Sequence, residues 1–202
     1  SMEAFPMCDA CGSEYTDPSC RRHHAQTIAC AACGPRLSLL RADGTPVAVE
    51  DPVRETAALL DAGSIVAIRG IGGFHIACIE EAAGVLKHRL GRSEQPLAVM
   101  TTPDEVERIA VVSDEDRRIL HSRARPIVVL EKRDPLSHQA ISGLHTIGCM
   151  LPYSGLHHLL FADLAHRLLI MTSANLPGYP MITDISGALD RLSGMVDYVL
   201  TH

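Results

Sequence analysis

Residues 64–78 read SIVAIRGIGGFHIAC. The first six, Ser64–Arg69, are rich in β-branched residues and apolar up to the arginine, which is the composition of a buried strand. That strand runs into Arg69-Gly70-Ile71-Gly72-Gly73-Phe74-His75, with three glycines in four residues. Open α/β sheets bind their ligands in loops at the ends of such strands. The glycines free backbone N–H groups to approach an anion, and Arg69 and His75 bracket them. A sharp turn needing positive φ accounts for the same glycines. The loop is not a P-loop, lacking G-K-[ST], nor a dinucleotide fingerprint.

Outward from this stretch, helical and extended patterns alternate. Pro52 opens and Gly63 stops a helix over Val53–Ala62. Residues 71–77 read as the glycine loop and Glu80–Leu90 as a helix. Pro96–Met100 reads as a strand, then Pro103–Ala110 and Asp114–Arg123 as helices, the second capped by Ser113. Pro126–Leu130 reads as a strand, with an irregular stretch on through Ile147. Ser154–Ala162 is helical, Leu168–Thr172 a buried strand, Ile185–Leu192 helical and Tyr198–Leu200 a last strand. The alternation predicts an α/β fold, a mixed or parallel sheet with helices against it. Composition agrees. Hydrophobic residues make up 47% of the 202, yet aromatics are 3% and Trp is absent, so the core is aliphatic, as in α/β sheets.

The N-terminal part differs. Cys8-x-x-Cys11 and Cys30-x-x-Cys33 are two short chelating turns, close enough in sequence to share one ion. Paired C-x₂-C turns at this separation are a zinc signature, and four thiolates close the coordination sphere, which makes the site structural. Two disulfides are the alternative, and they need an oxidising compartment. Residues 8–35 have almost no apolar periodicity, so metal binding must supply their folding free energy, on the order of 10 kcal/mol. We therefore divide the chain into a zinc-finger-like module over 1–35, a connector over 36–52 with a turn at Asp43-Gly44, and one larger domain over 53–202. No export signal and no stretch of membrane-spanning length is visible, which points to a cytoplasmic protein.

The 18 basic and 24 acidic residues leave a net charge of −6. That balance argues against a general nucleic-acid binder. Arg21-Arg22-His23-His24 forms a local basic patch or, equally, a solvated turn between the cysteine pairs. The 11 histidines are scattered, and His157/His158 read as surface or hydrogen-bonding residues.

Two further segments end or enter strands. Arg89-Leu90-Gly91-Arg92-Ser93-Glu94-Gln95-Pro96 offers two arginines that could share a phosphate, or merely an exposed basic helix end. Met171-Thr172-Ser173-Ala174-Asn175-Leu176-Pro177-Gly178 ends a buried strand in small polar side chains. Ser173 and Asn175 stand on one side and could address a ligand, or form a capping turn.

Together these segments resemble a known arrangement. Ser173-x-Asn175 within TSAN matches the S-x-N motif of the YrdC family, and Arg92 before PLAVM matches the arginine of its K-x-R motif. The whole chain resembles the middle of HypF-type carbamoyltransferases, through EYTDPSCRRHHAQTIACAACGP, VAIRGIGGFHIAC, QPLAVM, RPIVVL, IGCMLPYSGLHHLL and MTSANLPGYP. The resemblance implies a YrdC-like twisted open mixed sheet with flanking helices, behind a small four-cysteine zinc finger. It implies [NiFe]-hydrogenase maturation: ATP, with magnesium, and carbamoyl phosphate yield carbamoyl-adenylate. A Kae1-like domain, outside this chain, passes the carbamoyl group to a HypE-type acceptor protein, so the fragment is expected to perform only the adenylation half. Arg92 and His75 are then the catalytic candidates. Arg69, Gly70, Gly72, Gly73, Ser173 and Asn175 are the nucleotide-binding ones, and Cys8, Cys11, Cys30 and Cys33 hold zinc. No membrane or nucleic acid is implied.

One departure stands out. Leu90 occupies the lysine position of K-x-R, and Gln95 that of a second family lysine. Arg89 and Lys87 are candidates to compensate, and Leu90→Lys is expected to raise activity. Two other readings remain open at this stage. One is a threonylcarbamoyl-adenylate synthase serving tRNA modification; the other is a catalytically silent module binding RNA or protein.

Overall fold

The computed structural model describes residues 6–175 and 179–202, so Leu176, Pro177 and Gly178 of the TSANLPG segment lie outside the described residues. The chain divides into two units, residues 1–37 with His202, and residues 38–201. The first holds one short helix, α1 (Asp9–Thr16), with Cys8 as its N-cap, followed by turns. Cys11 and Ile28 are its buried apolar side chains among the described residues. So small a core cannot offset chain entropy by burial.

The second unit is one mixed sheet with helices. In chain order its elements are β1 (Ser38–Arg41), α2 (Pro52–Asp61), β2 (Val66–Arg69), β3 (Phe74–Cys78), a 3-10 turn (Glu80–Ala82), α3 (Ala83–Leu90) and β4 (Ala98–Thr101). Then come α4 (Pro103–Ile109), β5 (Ala110–Val111), α5 (Asp114–Leu120), β6 (Val128–Lys132), β7 (Thr146–Met150), α6 (Gly155–Asp163), β8 (Leu168–Ser173), α7 (Ile185–Arg191) and β9 (Tyr198–Thr201). The nine described strands run in the order β1-β9-β2-β3-β8-β4-β7-β6-β5. Among their pairings, β2–β9 and β4–β7 are parallel and the rest antiparallel. Local signals behave as the sequence reading expects: Asp51 caps α2 through Val53 and Arg54, and Ser113 closes a capping box with Asp116 on α5.

The expected loop over 71–77 is too long. Its second half is β3, which forms an antiparallel hairpin with β2 (Val66↔Ala77, Arg69↔Phe74). Phe74, Ile76, Ala77 and Cys78 are all buried. The run lacks polar alternation because the strand is covered on both faces, and periodicity does not reveal such a strand. Likewise β7 occupies part of the stretch read as irregular. Its Gly148 suppresses strand propensity, yet a Cβ there would stand 3.1 Å from Ile127 Cγ2. Within residues 36–52, Ser38–Arg41 pairs antiparallel with β9.

Register decides which side chains share a face. His75 lies opposite Ser173, Ala98 opposite Gly148, and Gly148 opposite Val129. Val99 lies opposite Ile170, so the strand alternation puts Ala98 on the face of Met171 and Ser173. His75, Ser173, Ala98, Gly148 and Val129 therefore project from one face of the sheet.

Candidate functional site

In the first unit, Cys8 stands just before α1 and Cys11 in its first turn. Cys30–Gly34 is a second turn, closed by Gly34 N–H donating to Cys30 O at 2.7 Å. The two turns bring all four Sγ atoms within 4.8 Å of one another. Neighbouring sulfurs are separated by 3.7 Å (Cys8–Cys30), 3.8 Å (Cys30–Cys33) and 3.6 Å (Cys33–Cys11). A tetrahedral ion with Zn–S bonds of about 2.3 Å has S···S edges of about 3.8 Å, whereas a disulfide needs about 2.05 Å. The donor set fits a structural zinc ion. Burial, then the neighbouring sulfurs, push the Cys11 thiol up to about 12, while backbone N–H groups of Cys8 and Cys30 pull Cys33 down to about 6. Four sulfurs this close cannot all ionise unless a cation joins them.

The basic patch beside them is largely used internally. Arg22 donates to Glu14 (2.5 Å) and Ala29 O (2.7 Å), and its Nη2 lies 3.9 Å from Cys11 Sγ. His23 and His24 stack at 4.0 Å. Of the two readings of residues 21–24, the structure favours a turn packed on its own module.

In the second unit, the glycine hairpin, the end of β8 and the loop after α3 meet at one end of the sheet. Gly70 N–H donates to Gly73 O at 2.8 Å, which tightens the turn. Gly73 has φ +143, and a Cβ there would lie 2.7 Å from Ile182 O, so only glycine fits. Phe74 N–H donates to Ile182 O, Ile182 N–H to Ala174 O, and Ala174 N–H to Phe74 O, which clasps the hairpin to the segment after β8. Gly70 packs on His75: a Cβ there would be 3.1 Å from Nδ1. Ser173 Oγ donates to Asn175 Oδ1 (2.9 Å), and Asn175 Nδ2 donates to Tyr179 O (3.2 Å).

Arg92 reaches the same place by a local device. Gly91, at φ 63, ends α3 in the left-handed conformation, and Arg92 N–H returns to Lys87 O at 2.9 Å. The chain thereby turns so that Arg92 Nη2 donates to Asn175 O at 3.2 Å. The structure thus links His75, Ser173, Asn175, Arg92, Gly70 and Gly73. Arg69 closes β2 opposite Phe74, and Gly72 lies at the turn, 3.9 Å from Met181 Cε by its virtual Cβ.

The compensation expected from Arg89 is not available. Its Nη1 pairs with Asp197 at 2.9 Å and reaches Met195 O at 3.3 Å, which ties α3 to the approach of β9. Leu90 is 9% exposed and belongs to the core, so it is not a position from which a cation could address this site. Leu90→Lys should accordingly destabilise the domain by at least about 2 kcal/mol, by losing apolar burial and sealing in an ammonium. Denaturant unfolding measures this; an unchanged midpoint would place Leu90 at the surface.

Sequence reasoning missed Tyr153 and His157. The ring centroids of His75 and Tyr153 are 6.4 Å apart and those of Tyr153 and His157 4.5 Å, both edge-on. His157 is 1% exposed. Its spacing to buried Leu160 and Leu164 on one helix stripe was the available signal. Burial lowers the pKa of His75 and, with the neighbouring imidazoles, takes His157 down to about 4. Along the same face, Pro96, Leu97, Ala98, Ile127, Val129 and Gly148 line a largely apolar hollow of about 290 Å³. Buried Lys132 holds the loop behind it, donating to Ser137 O and Ser142 O.

Residues 58–202 match the family model described as telomere recombination (Sua5, YciO, YrdC), and residues 7–40 match that of the HypF finger. Carbamoyltransferase HypF of Rhodobacter capsulatus is 42% identical over 205 residues, covering 100% of this chain and 27% of that protein. The crystal structure of T. kodakarensis HypF superposes with a TM-score of 0.87 at 45% identity, covering 99% of this chain and 27% of that one. Full-length HypF in a phosphate- and nucleotide-bound form gives 0.85 at 40% identity, covering 98% and 26%. The chain thus spans about a quarter of the length of these relatives. With a YrdC-like sheet behind a HypF finger, it belongs to the Sua5/YciO/YrdC family in the arrangement of HypF proteins.

Proposed function

We propose that this chain forms carbamoyl-adenylate as the adenylation half of a carbamoyl transfer in [NiFe]-hydrogenase maturation. The observation that carries the reading is the link of Arg92 to Asn175, and of Asn175 to Ser173, at the glycine hairpin. An arginine fork, small polar side chains and a glycine turn at one strand end suit a polyphosphate. In the reaction, water cleaves carbamoyl phosphate to carbamate and phosphate. A carbamate oxygen then attacks the α-phosphorus of ATP, and pyrophosphate leaves. Arg69 and Arg92 clamp the phosphates, with Gly70, Gly72 and Gly73 as a neutral cradle. Ser173 and Asn175 hold the nucleotide, and His75 orients the carbamoyl group. Magnesium accompanies ATP as counter-ion, and zinc holds the finger without entering the chemistry.

The nucleotide-bound relative supports a nucleotide ligand, and the apolar hollow on the face of His75 and Ser173 suits its base. Gly148→Val would fill that hollow from its floor, and the side chain it meets, Ile127, is 53% exposed and can yield. We expect ATP affinity to fall about tenfold or more with the zinc content unchanged; calorimetric titration checks it, and unchanged affinity would move the base elsewhere. The reading itself is tested by carbamoyl-phosphate-dependent exchange of labelled pyrophosphate into ATP. ATP binding without exchange would overturn it, and dependence on threonine and bicarbonate would favour a threonylcarbamoyl-adenylate synthase. Transfer to a HypE-type acceptor lies outside the reaction proposed for this chain.

A further inference from the structure

His75, Tyr153 and His157 form a continuous row of rings, each edge-on to the next. Packing alone leaves two features of the row without a purpose. Nδ1 of His75 and Nδ1 of His157 are sealed from solvent and have no hydrogen-bond partner among the described residues. A core imidazole normally satisfies its nitrogens, because each orphaned buried group costs about 1–3 kcal/mol. The row also ends on the sheet face opposite Ser173.

The orphaned Nδ1 fixes a tautomer. Neither a donor nor an acceptor reaches this nitrogen among the described residues; a buried N–H left bare is costlier than a bare lone pair, so the proton of neutral His75 is favoured on Nε2. Gly70 closes over Nδ1, leaving Nε2 as the nitrogen a ligand can meet. Tyr153 is half-buried against both imidazoles, and burial holds its phenol protonated. Charge on either histidine would lack a buried counter-charge in this row. Neutrality matters for the chemistry proposed above. Carbamate breaks down to ammonia and carbon dioxide when protonated at nitrogen, and a neutral imidazole does not deliver that proton.

Resting on the carbamoyl-adenylate reading, we propose that Tyr153 and His157 are positioning residues for His75. The ring row holds His75 as its Nε2–H tautomer beside Ser173, where it donates a hydrogen bond to the carbamoyl oxygen without acting as an acid.

Two measurements test this. Long-range ¹H–¹⁵N spectra of the imidazoles, with His75 assigned through His75→Gln, read the tautomer whatever reaction the site performs. Wild type should show Nε2–H for His75, and Tyr153→Leu should show a mixture of both tautomers. In pyrophosphate exchange, Tyr153→Leu should lower kcat about 10- to 100-fold with the KM for ATP unchanged, and Tyr153→Phe should recover most of the lost rate. His157→Leu should reproduce the loss; because it alters a buried position, the half-buried Tyr153 series keeps the test decisive if that variant does not fold. An Nδ1–H form in wild type, or an unchanged tautomer in Tyr153→Leu, overturns the proposal. So does a Phe variant as slow as the Leu variant, since the hydroxyl would then be the acting group. Absence of exchange in wild type defeats the functional reading alone, and the spectra still decide the ring row.

Discussion

Replacing Arg92 by alanine is expected to lower kcat/KM for carbamoyl-phosphate-dependent pyrophosphate exchange by about 10²- to 10³-fold, while the domain stays folded. The magnitude is that of removing one preorganised donor from a site where charge develops. Arg92 is half-buried, and the described hydrogen bond of its side chain is the one to Asn175 O, so little of the fold depends on that side chain. The loss should be large here because Arg89 is committed to Asp197 and Leu90 lies in the core. Neither can stand in for the lost cation. Arg92→Lys should fall between the two, since an ammonium keeps the charge but not the planar fork. An Arg92→Ala variant with the wild-type rate would remove Arg92 from the chemistry.

Removing the metal is expected to unfold the first unit and leave the second intact. Zinc should be present at about one per chain, and Cys11→Ser or strong chelation should abolish it. Amides over residues 8–35 should then exchange freely, while those of the central strands stay protected. Coupling between structural zinc and folding is on the order of 10 kcal/mol, far more than Ile28 and Cys11 could supply by burial. The sheet unit owns a separate aliphatic core, in which Ile65, Val66, Ile68, Ile76, Val99 and Ile170 are almost wholly buried. Hydrogen exchange and metal analysis check both halves. A metal-free protein whose finger stays protected would refute the site.

Helices were legible where local chemistry marks their ends, as with Pro52 and Ser113. Strands were legible where β-branched residues cluster, as in VAIR and LLIMT. FHIAC and TIGCM were not: the first is covered on both faces and so does not alternate in polarity, and the second carries a glycine at half-buried position 148. The candidate site divides in the same manner. Arg92, Ser173 and Asn175 announce themselves by residue type and motif spacing. Tyr153 and His157 do not: an aromatic beside a histidine is ordinary in sequence, and only burial with an orphaned nitrogen gives the pair a meaning.

What the sequence alone determined is chemistry that a few neighbouring residues suffice to specify. The four thiols come in two chelating turns, the glycines mark a sharp turn, and SIVAIR reads as a buried strand. Tertiary structure decided what depends on register and on the far partner. Antiparallel pairing of β3 with β8 set His75 against Ser173. The left-handed turn at Gly91 brought Arg92 to Asn175, and an ion pair more than a hundred residues distant in sequence withdrew Arg89. Leu90 carries the same lesson: motif spacing reads it as a lost cation, whereas packing makes it a core side chain, because burial depends on every element around a residue.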